Sequence, residues 1–294
     1  MFPEVVITDR KAFFCLESNT TYFVFLPKRL RELRLCLLVS PFGWLMVREY
    51  MNNEYRTNLL NPLTRVRIQL PSLEKLILQA VLSSSPLSST SHGNCIIMVI
   101  NNYENKLMFA RPGGDNWTSL QEYGVRKNYY YSIAYFKGQF YALTWGRELW
   151  ICDVSSPHPK ATKLTPPDYV ASPRFVWWDA FLVEVADELL LFVKLYDAKF
   201  KVLKFDFSTC EWKKLKSLGD YAVFVGARSS FALSASEYPG LIGGCVYFFE
   251  SFKECHRKIG IYNFNEDKSI ESLRPCCDLR YDYHRSIWIR PSWE

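Results

Sequence analysis

Histidine is scarce in this chain, and long uninterrupted apolar runs are missing. The four histidines, His92, His158, His256 and His284, are scattered, and only Cys255-His256 sets a thiol beside an imidazole. Neighbours on a strand point to opposite faces, whereas tetrahedral zinc sites draw ligands from positions about two to four apart, so no metal site and no cofactor is expected. No stretch reaches the ~18 uncharged apolar residues of a membrane helix. The nearest two, LCLLVSPFGWLMV (35–47) and GLIGGCVYFF (240–249), read as strands separated by turns, the first broken by Pro41 and Gly43, the second short and rich in glycine. Blocks of lysine and arginine are absent too. The formal net charge of +6 is spread along the sequence, which argues against a nucleic-acid footprint. The opening MFPEVVITDRKAFF carries charges where a signal peptide needs an apolar core, and nine cysteines show no regular spacing. A reducing compartment, cytoplasmic or nuclear, is the expectation, with no membrane and no nucleic acid as partner.

Aromatic and aliphatic residues are plentiful. Apolar residues make up 49% of the chain and aromatics 16%, enough for a large core. Within LLNPLTRVRIQLP (59–71), Asn61-Pro62-Leu63-Thr64 is turn chemistry. The residues after it alternate, with Val66, Ile68 and Leu70 expected to pack inward and Arg65, Arg67 and Gln69 on the other face.

This turn and strand recur. Asn61-x-x-Thr64-x-x-Arg67-x-x-Leu70 matches Asp206-x-x-Thr209-x-x-Trp212-x-x-Leu215 without gaps. A further copy, ARPGGDNWTSL, runs from Arg111 through Trp117 to Leu120; a longer one begins at Asp153, and a weaker one at Asn263. The starts are 50, 42, 53 and 57 residues apart, and a period of about 40 to 50 is that of kelch and WD40 blades, one four-stranded sheet per repeat. Strand-like runs precede each turn, and Lys137-Gly138, Asp187-Glu188 and Gly243-Gly244 are placed as hairpins. ELLLFVKLY (188–196) reads as a strand covered on both faces. KFKVLKFDF (199–207) shifts phase, which predicts a bulge near Leu203. Helical periodicity is hard to find beyond LEKLILQAVL (73–82), itself a helix turn or a strand.

The expected fold is therefore an all-β, kelch-like β-propeller of four-stranded antiparallel blades, because radial repetition protects strand edges. Four strands fit in each of 36–71, 74–121, 125–166, 175–216 and 221–275. The runs VVI, AFFCL and TYFVFL near the start and SIWIR (286–290) near the end are left to form a sixth sheet closed by both termini. Six blades are expected, with five as the alternative. Residues 1–294 make one domain, with a Ser-rich loop at 83–91.

SPFGWLMV, LLNPLTRVRIQLP, KLMFARPGGDNWTSL, YYSIAYFKGQFYAL, KVLKFDFSTCEWKKLKSLGDYAVFVG, SEYPGLIGGCVYFF and SIWIRPS together resemble the plant F-box-associated domain of unknown function 295, the KIB-type β-propeller. The resemblance runs from about Phe2 to Ser292 and is most specific at LNPLT and at SLGDYAVFVG through YFF. It implies a propeller that presents a protein substrate, in proteins whose N-terminal F-box, a helical domain of ~40 to 50 residues, docks on a cullin-type ubiquitin ligase adaptor. LPKRLRELRLCLL (26–38) superficially resembles an F-box start, but Gly43-Trp44 begins a strand directly after it. No F-box domain is expected in this chain, and so no direct binding to the Skp-type adaptor.

Other clusters read as ordinary structure. Cys276-Cys277 is a vicinal loop pair with nothing to lower a thiol pKa. RPGGDNW (111–117) has no following helix to cradle a phosphate and reads as a turn. Asp179, Glu184, Asp187 and Glu188 lie in or beside turns of one repeat and read as solvated, although propeller glycosidases do use axial carboxylates. SSSPLSSTS (83–91) is a flexible loop open to phosphorylation. The matched places of Trp117 and Trp212 point to packing between blades. No catalytic, cofactor-binding or metal residue is nominated. The function expected is non-catalytic protein interaction through the loops at one end of the propeller. The alternatives are a propeller enzyme acting on a sugar or other small molecule, and a truncated gene product without a selected role.

Overall fold

The computed structural model describes residues 10–15, 20–25, 38–39, 42–51, 54–73, 77–87, 94–101, 104–122, 129–165, 180–195, 198–238, 240–250, 258–273 and 288. Among these every element is a strand except one 3-10 turn at Ala235–Glu237. LEKLILQAVL resolves as a strand over 77–82.

A two-stranded antiparallel sheet, β1 (Arg10–Cys15) and β2 (Thr20–Phe25), comes first. The first blade follows, with β3 (Leu38–Val39), β4 (Leu45–Met51), β5 (Glu54–Leu60) and β6 (Arg67–Leu70) paired in chain order. The second holds β7 (Ile77–Leu82), β8 (Ile97–Asn101), β9 (Lys106–Ala110) and β10 (Thr118–Ser119). The third holds β12 (Tyr130–Phe136), β13 (Gln139–Thr144), β14 (Leu149–Asp153) and β15 (Lys160–Lys163), and β11 (Gln121–Glu122) adds parallel to β15 at its outer edge. The fourth is β16 (Ala180–Val185), β17 (Glu188–Lys194), β18 (Phe200–Asp206) and β19 (Glu211–Lys214).

The fifth blade departs from the expected four strands. It contains β20 (Tyr221–Val225), β21 (Phe231–Ser234), β22 (Cys245–Glu250), β23 (Lys258–Asn263) and β24 (Lys268–Leu273) in the order β21-β20-β22-β23-β24. β20 and β22 run parallel, so Gly243-Gly244 ends a crossover and closes no hairpin. Parallel neighbours need such a longer connection.

Successive first strands are neighbours: β3 beside β7, β7 beside β12, and β12 beside β16, with β21 next to β16 in the fifth blade. Two side chains stitch this ring. Gln79 Oε1 accepts the Ile133 N–H at 2.8 Å, and Ser132 Oγ accepts the Leu182 N–H at 3.1 Å. Each sits just past a shift in strand pairing, between Ile77 and Gln79 and between Tyr130 and Ser132, where a bulge re-aims a side chain.

The core lies between blades. Trp44, Met46, Leu59 and Leu70 of the first blade meet Leu82, Ile97 and Val99 of the second. Met98, Ile100 and Leu107 of the second meet Ile133, Phe140 and Trp150 of the third. Burying each such side chain stabilises the fold by roughly 1.5–3 kcal/mol. The central strands are thus covered twice, as the buried run Leu189 to Val193 shows. The same double burial explains KFKVLKFDF without the predicted bulge. Phe200 and Val202 pack toward the fifth blade, Leu203 and Phe205 toward the third, and pairing with β17 and β19 is continuous.

The repeated turn has one chemistry. Asn61 Oδ1 accepts the N–H groups of Leu63 at 2.9 Å and Thr64 at 3.1 Å. Asp153 Oδ1 accepts from Ser155 and Ser156, Asp206 Oδ1 from Ser208, and Asn263 Oδ1 from Glu266. Arg65, Cys210 and Asp267, each four places past its Asn or Asp, all have left-handed φ, at 64°, 55° and 52°. The copy at Arg111 lacks that acceptor and uses Gly113 at φ 78°. In the first copy Val66 is 36% exposed, because β6 starts only at Arg67; Ile68 is half-buried and Leu70 buried, so the inward face is shorter than expected.

The hairpin at Lys137-Gly138 has φ of 45° and 82°, and the next blade uses Ala186-Asp187 at 50° and 59°, one residue earlier than expected. Positive φ at both central positions marks the turn whose twist suits a two-residue hairpin. The β1–β2 pair covers AFFC and TYFVF, while VVI and residues 286–287 and 289–290 fall outside the described residues.

Candidate protein-interaction face

Tyr129 leads into β12 and Trp145 follows β13, so antiparallel pairing of Tyr130 with Thr144 brings the two aromatics to one end of the third blade. The Trp145 N–H donates to the Tyr129 carbonyl at 2.9 Å, and the ring centroids lie 5.6 Å apart at 34°. Both rings face solvent, with Tyr129 50% and Trp145 38% exposed.

Their support is rigid. The Arg147 N–H donates to the Thr144 carbonyl at 2.8 Å and the Thr144 N–H to the Glu148 carbonyl at 3.0 Å, closing a tight turn with Arg147 at φ 60°. Asn105 Oδ1 of the second blade accepts the Tyr130 N–H at 2.7 Å, and the Arg147 carbonyl accepts the Trp212 indole N–H of the fourth at 3.2 Å. Glu148 pairs with Lys163 at 2.6 Å. Three blades therefore hold the backbone on either side of the two rings, and amphipathic rings give large contact area with little entropy lost on binding.

The opposite end of the same hairpin carries a second aromatic cluster. Phe207, 41% exposed in the turn after β18, stacks on Phe136 at 5.7 Å and meets Tyr141 edge-on at 5.6 Å, with Lys137 Nζ 5.1 Å from the Phe136 ring centre.

The residues singled out from sequence are distributed as follows. Trp117 Nε1 donates to the Pro71 carbonyl of the preceding blade at 2.9 Å, and with the Trp212 bond this makes both indoles links between blades. Gly113 and Gly114 form a turn whose N–H groups bond the carbonyls of Gln69 and Arg111. Glu184 is exposed on β16, its carboxyl raised first by partial burial and then by Asp187, with Lys137 opposing. Glu188 pairs with Lys204 at 2.5 Å. These acids stay within one blade. His158 is exposed, and among the described residues no three of His, Cys, Asp or Glu come together as metal ligands. Asp179, His92, His256, His284, Cys255, Cys276 and Cys277 lie outside the described residues, as do Ser88 to Ser91 of the Ser-rich loop. Among the described residues no helix is long and apolar enough to cross a membrane. Tyr129 and Trp145 were not singled out from sequence; the signal available was an aromatic at each of two ends joined by one hairpin.

Antiparallel sheets succeeding one another with their inner-edge strands side by side define a β-propeller. Residues 13–263 match the model of the KIB1-4 beta-propeller, and the chain belongs to that family. A protein of Arabidopsis thaliana named as an F-box protein is 29% identical over 190 residues, covering 61% of this chain and 50% of the relative. The Arabidopsis F-box protein At3g56470 is 26% identical, covering 88% and 67%, and F-box protein KIB4 is 23% identical, covering 79% and 64%. The match thus spans half to two thirds of these relatives' own length.

Proposed function

We propose that this chain is a non-catalytic protein-recognition propeller, of the kind that selects substrates for a ubiquitin ligase in F-box proteins, working in the cytoplasm or nucleus. The observation that carries the reading is the exposed Tyr129–Trp145 pair, held by three blades at the end of a family propeller. Loops on a rigid scaffold are where such proteins bind. Adaptor docking belongs to the F-box of the relatives, and this reading assigns none of it to the described strands.

The test uses the tagged chain as bait in plant extract beside a Tyr129→Ala/Trp145→Ala variant. A discrete set of proteins held by the native chain and lost by the variant is the expected result. Equal recovery by both overturns the assigned face. Recovery of no protein, together with turnover of a glycoside or other small molecule, overturns the recognition role itself.

A further inference from the structure

The face of the fifth blade turned away from the fourth is paved by Phe224, Phe231, Tyr247 and Ile261, and Trp288 covers it. The Trp288 ring stacks on Phe249 at 4.4 Å and meets Phe224 edge-on at 5.1 Å. Its indole N–H donates to the Val225 carbonyl at 2.9 Å. Ser229 Oγ accepts the Trp288 N–H at 3.2 Å and donates to the Trp288 carbonyl at 3.0 Å, as a neighbouring strand would. A Cβ on Gly226 would stand 3.3 Å from Trp288 Cδ1, so glycine leaves room for the ring.

Strand direction brings the chain to this place. In a blade of four antiparallel strands the last ends where the first began. Here the extra β21 and the parallel β20–β22 pair reverse that, so β24 ends where β20 ends. Leu273 pairs with Ile259 and Ile259 with Phe249, while Phe248 pairs with Val225, so Trp288 sits at the end of the sheet where the chain leaves it.

We propose that Trp288 is a clasp, a ring seated in the Phe224/Phe231/Phe249 socket and tied through Ser229, which holds the fifth blade shut and whose release opens that blade ahead of the others. The clasp is independent of the Tyr129–Trp145 face, which lies on the third blade.

Hydrogen exchange resolved by segment tests this in the full chain. Trp288→Ala is expected to speed exchange in β20, β21 and β22 at least tenfold, leave β7 to β9 unchanged, and lower the melting midpoint by roughly 6–12 °C. Trp288→Phe, which keeps a ring but loses the indole bond, should fall between. Ser229→Ala, a milder change, should show the same local pattern if Trp288→Ala does not fold. Exchange that rises equally in all blades, or stays unchanged in β20 to β22, overturns the clasp.

Discussion

The indole of Trp117 donates to the carbonyl of Pro71, 46 positions earlier, and in doing so ties the second blade to the first. Trp212 does the same from the fourth blade to Arg147 of the third.

Replacing either indole tests that link. Trp212→Phe keeps most of the packing on Phe205 and removes one hydrogen bond, so a loss of about 1 kcal/mol is expected in urea unfolding. Trp212→Ala should cost about 3 kcal/mol or more, because a cavity opens between blades.

The inner ring should be more sensitive for its size. Gln79→Ala and Ser132→Ala each leave a buried backbone N–H, that of Ile133 or Leu182, without its acceptor. A cost of about 1–3 kcal/mol apiece is expected, measured by chemical denaturation.

Glycine substitutions separate steric from conformational effects. A Cβ at Gly260 would lie 2.3 Å from Phe248 Cζ inside the core, whereas one at Gly138 meets nothing within 4 Å but adopts φ 82°. Gly138→Ala should cost about 1–2 kcal/mol from backbone strain alone. Gly260→Ala should cost more than that, or prevent folding, as read from soluble yield and melting midpoint.

Acid should weaken the turns. The Asp206 carboxyl is held well below the ordinary range, chiefly by Lys213, that of Asp153 by the Ser155 N–H, and that of Asp267 by the Tyr262 hydroxyl. A folded pKa below the unfolded one stabilises the fold above about pH 4, and this contribution fades as pH falls through the lowered values. The urea midpoint should therefore drop between pH 5 and 3, and less steeply in Asp206→Asn. Glu184 acts with opposite sign, its raised carboxyl costing stability as pH rises through the usual range.

Thiol chemistry gives another reading of the core. Cys245 is buried and pushed up to about 11 by burial first and Glu266 second. Cys95 and Cys152 are buried like Cys245, whereas Cys210 is half-exposed. Iodoacetamide at pH 8 should modify Cys210 ahead of Cys95, Cys152 and Cys245 in the native chain, as followed by mass spectrometry.

Turn chemistry carried most of what was legible in the sequence. Asn61, Asp153, Asp206 and Asn263 announce themselves because a side-chain acceptor at a fixed offset does the same job in each copy, and Trp117 and Trp212 because a link between repeats must recur at the repeat's spacing. The fifth blade stayed hidden: alternation identifies β20 and β22 as strands but says nothing of which partner each takes, or in which direction. KFKVLKFDF misled because burial on both faces imitates a slipped phase. Tyr129 and Trp145 were invisible for a related reason, since an aromatic at a strand end has the same letter whether it enters the core or faces solvent.

Both tryptophan links end on main-chain carbonyls, those of Pro71 and Arg147. A carbonyl is supplied by whatever residue occupies the position, so the receiving blade can drift in sequence while the donor keeps its bond. Only the giving side is constrained, which lets the receiving rim change its side chains while the wheel keeps its shape.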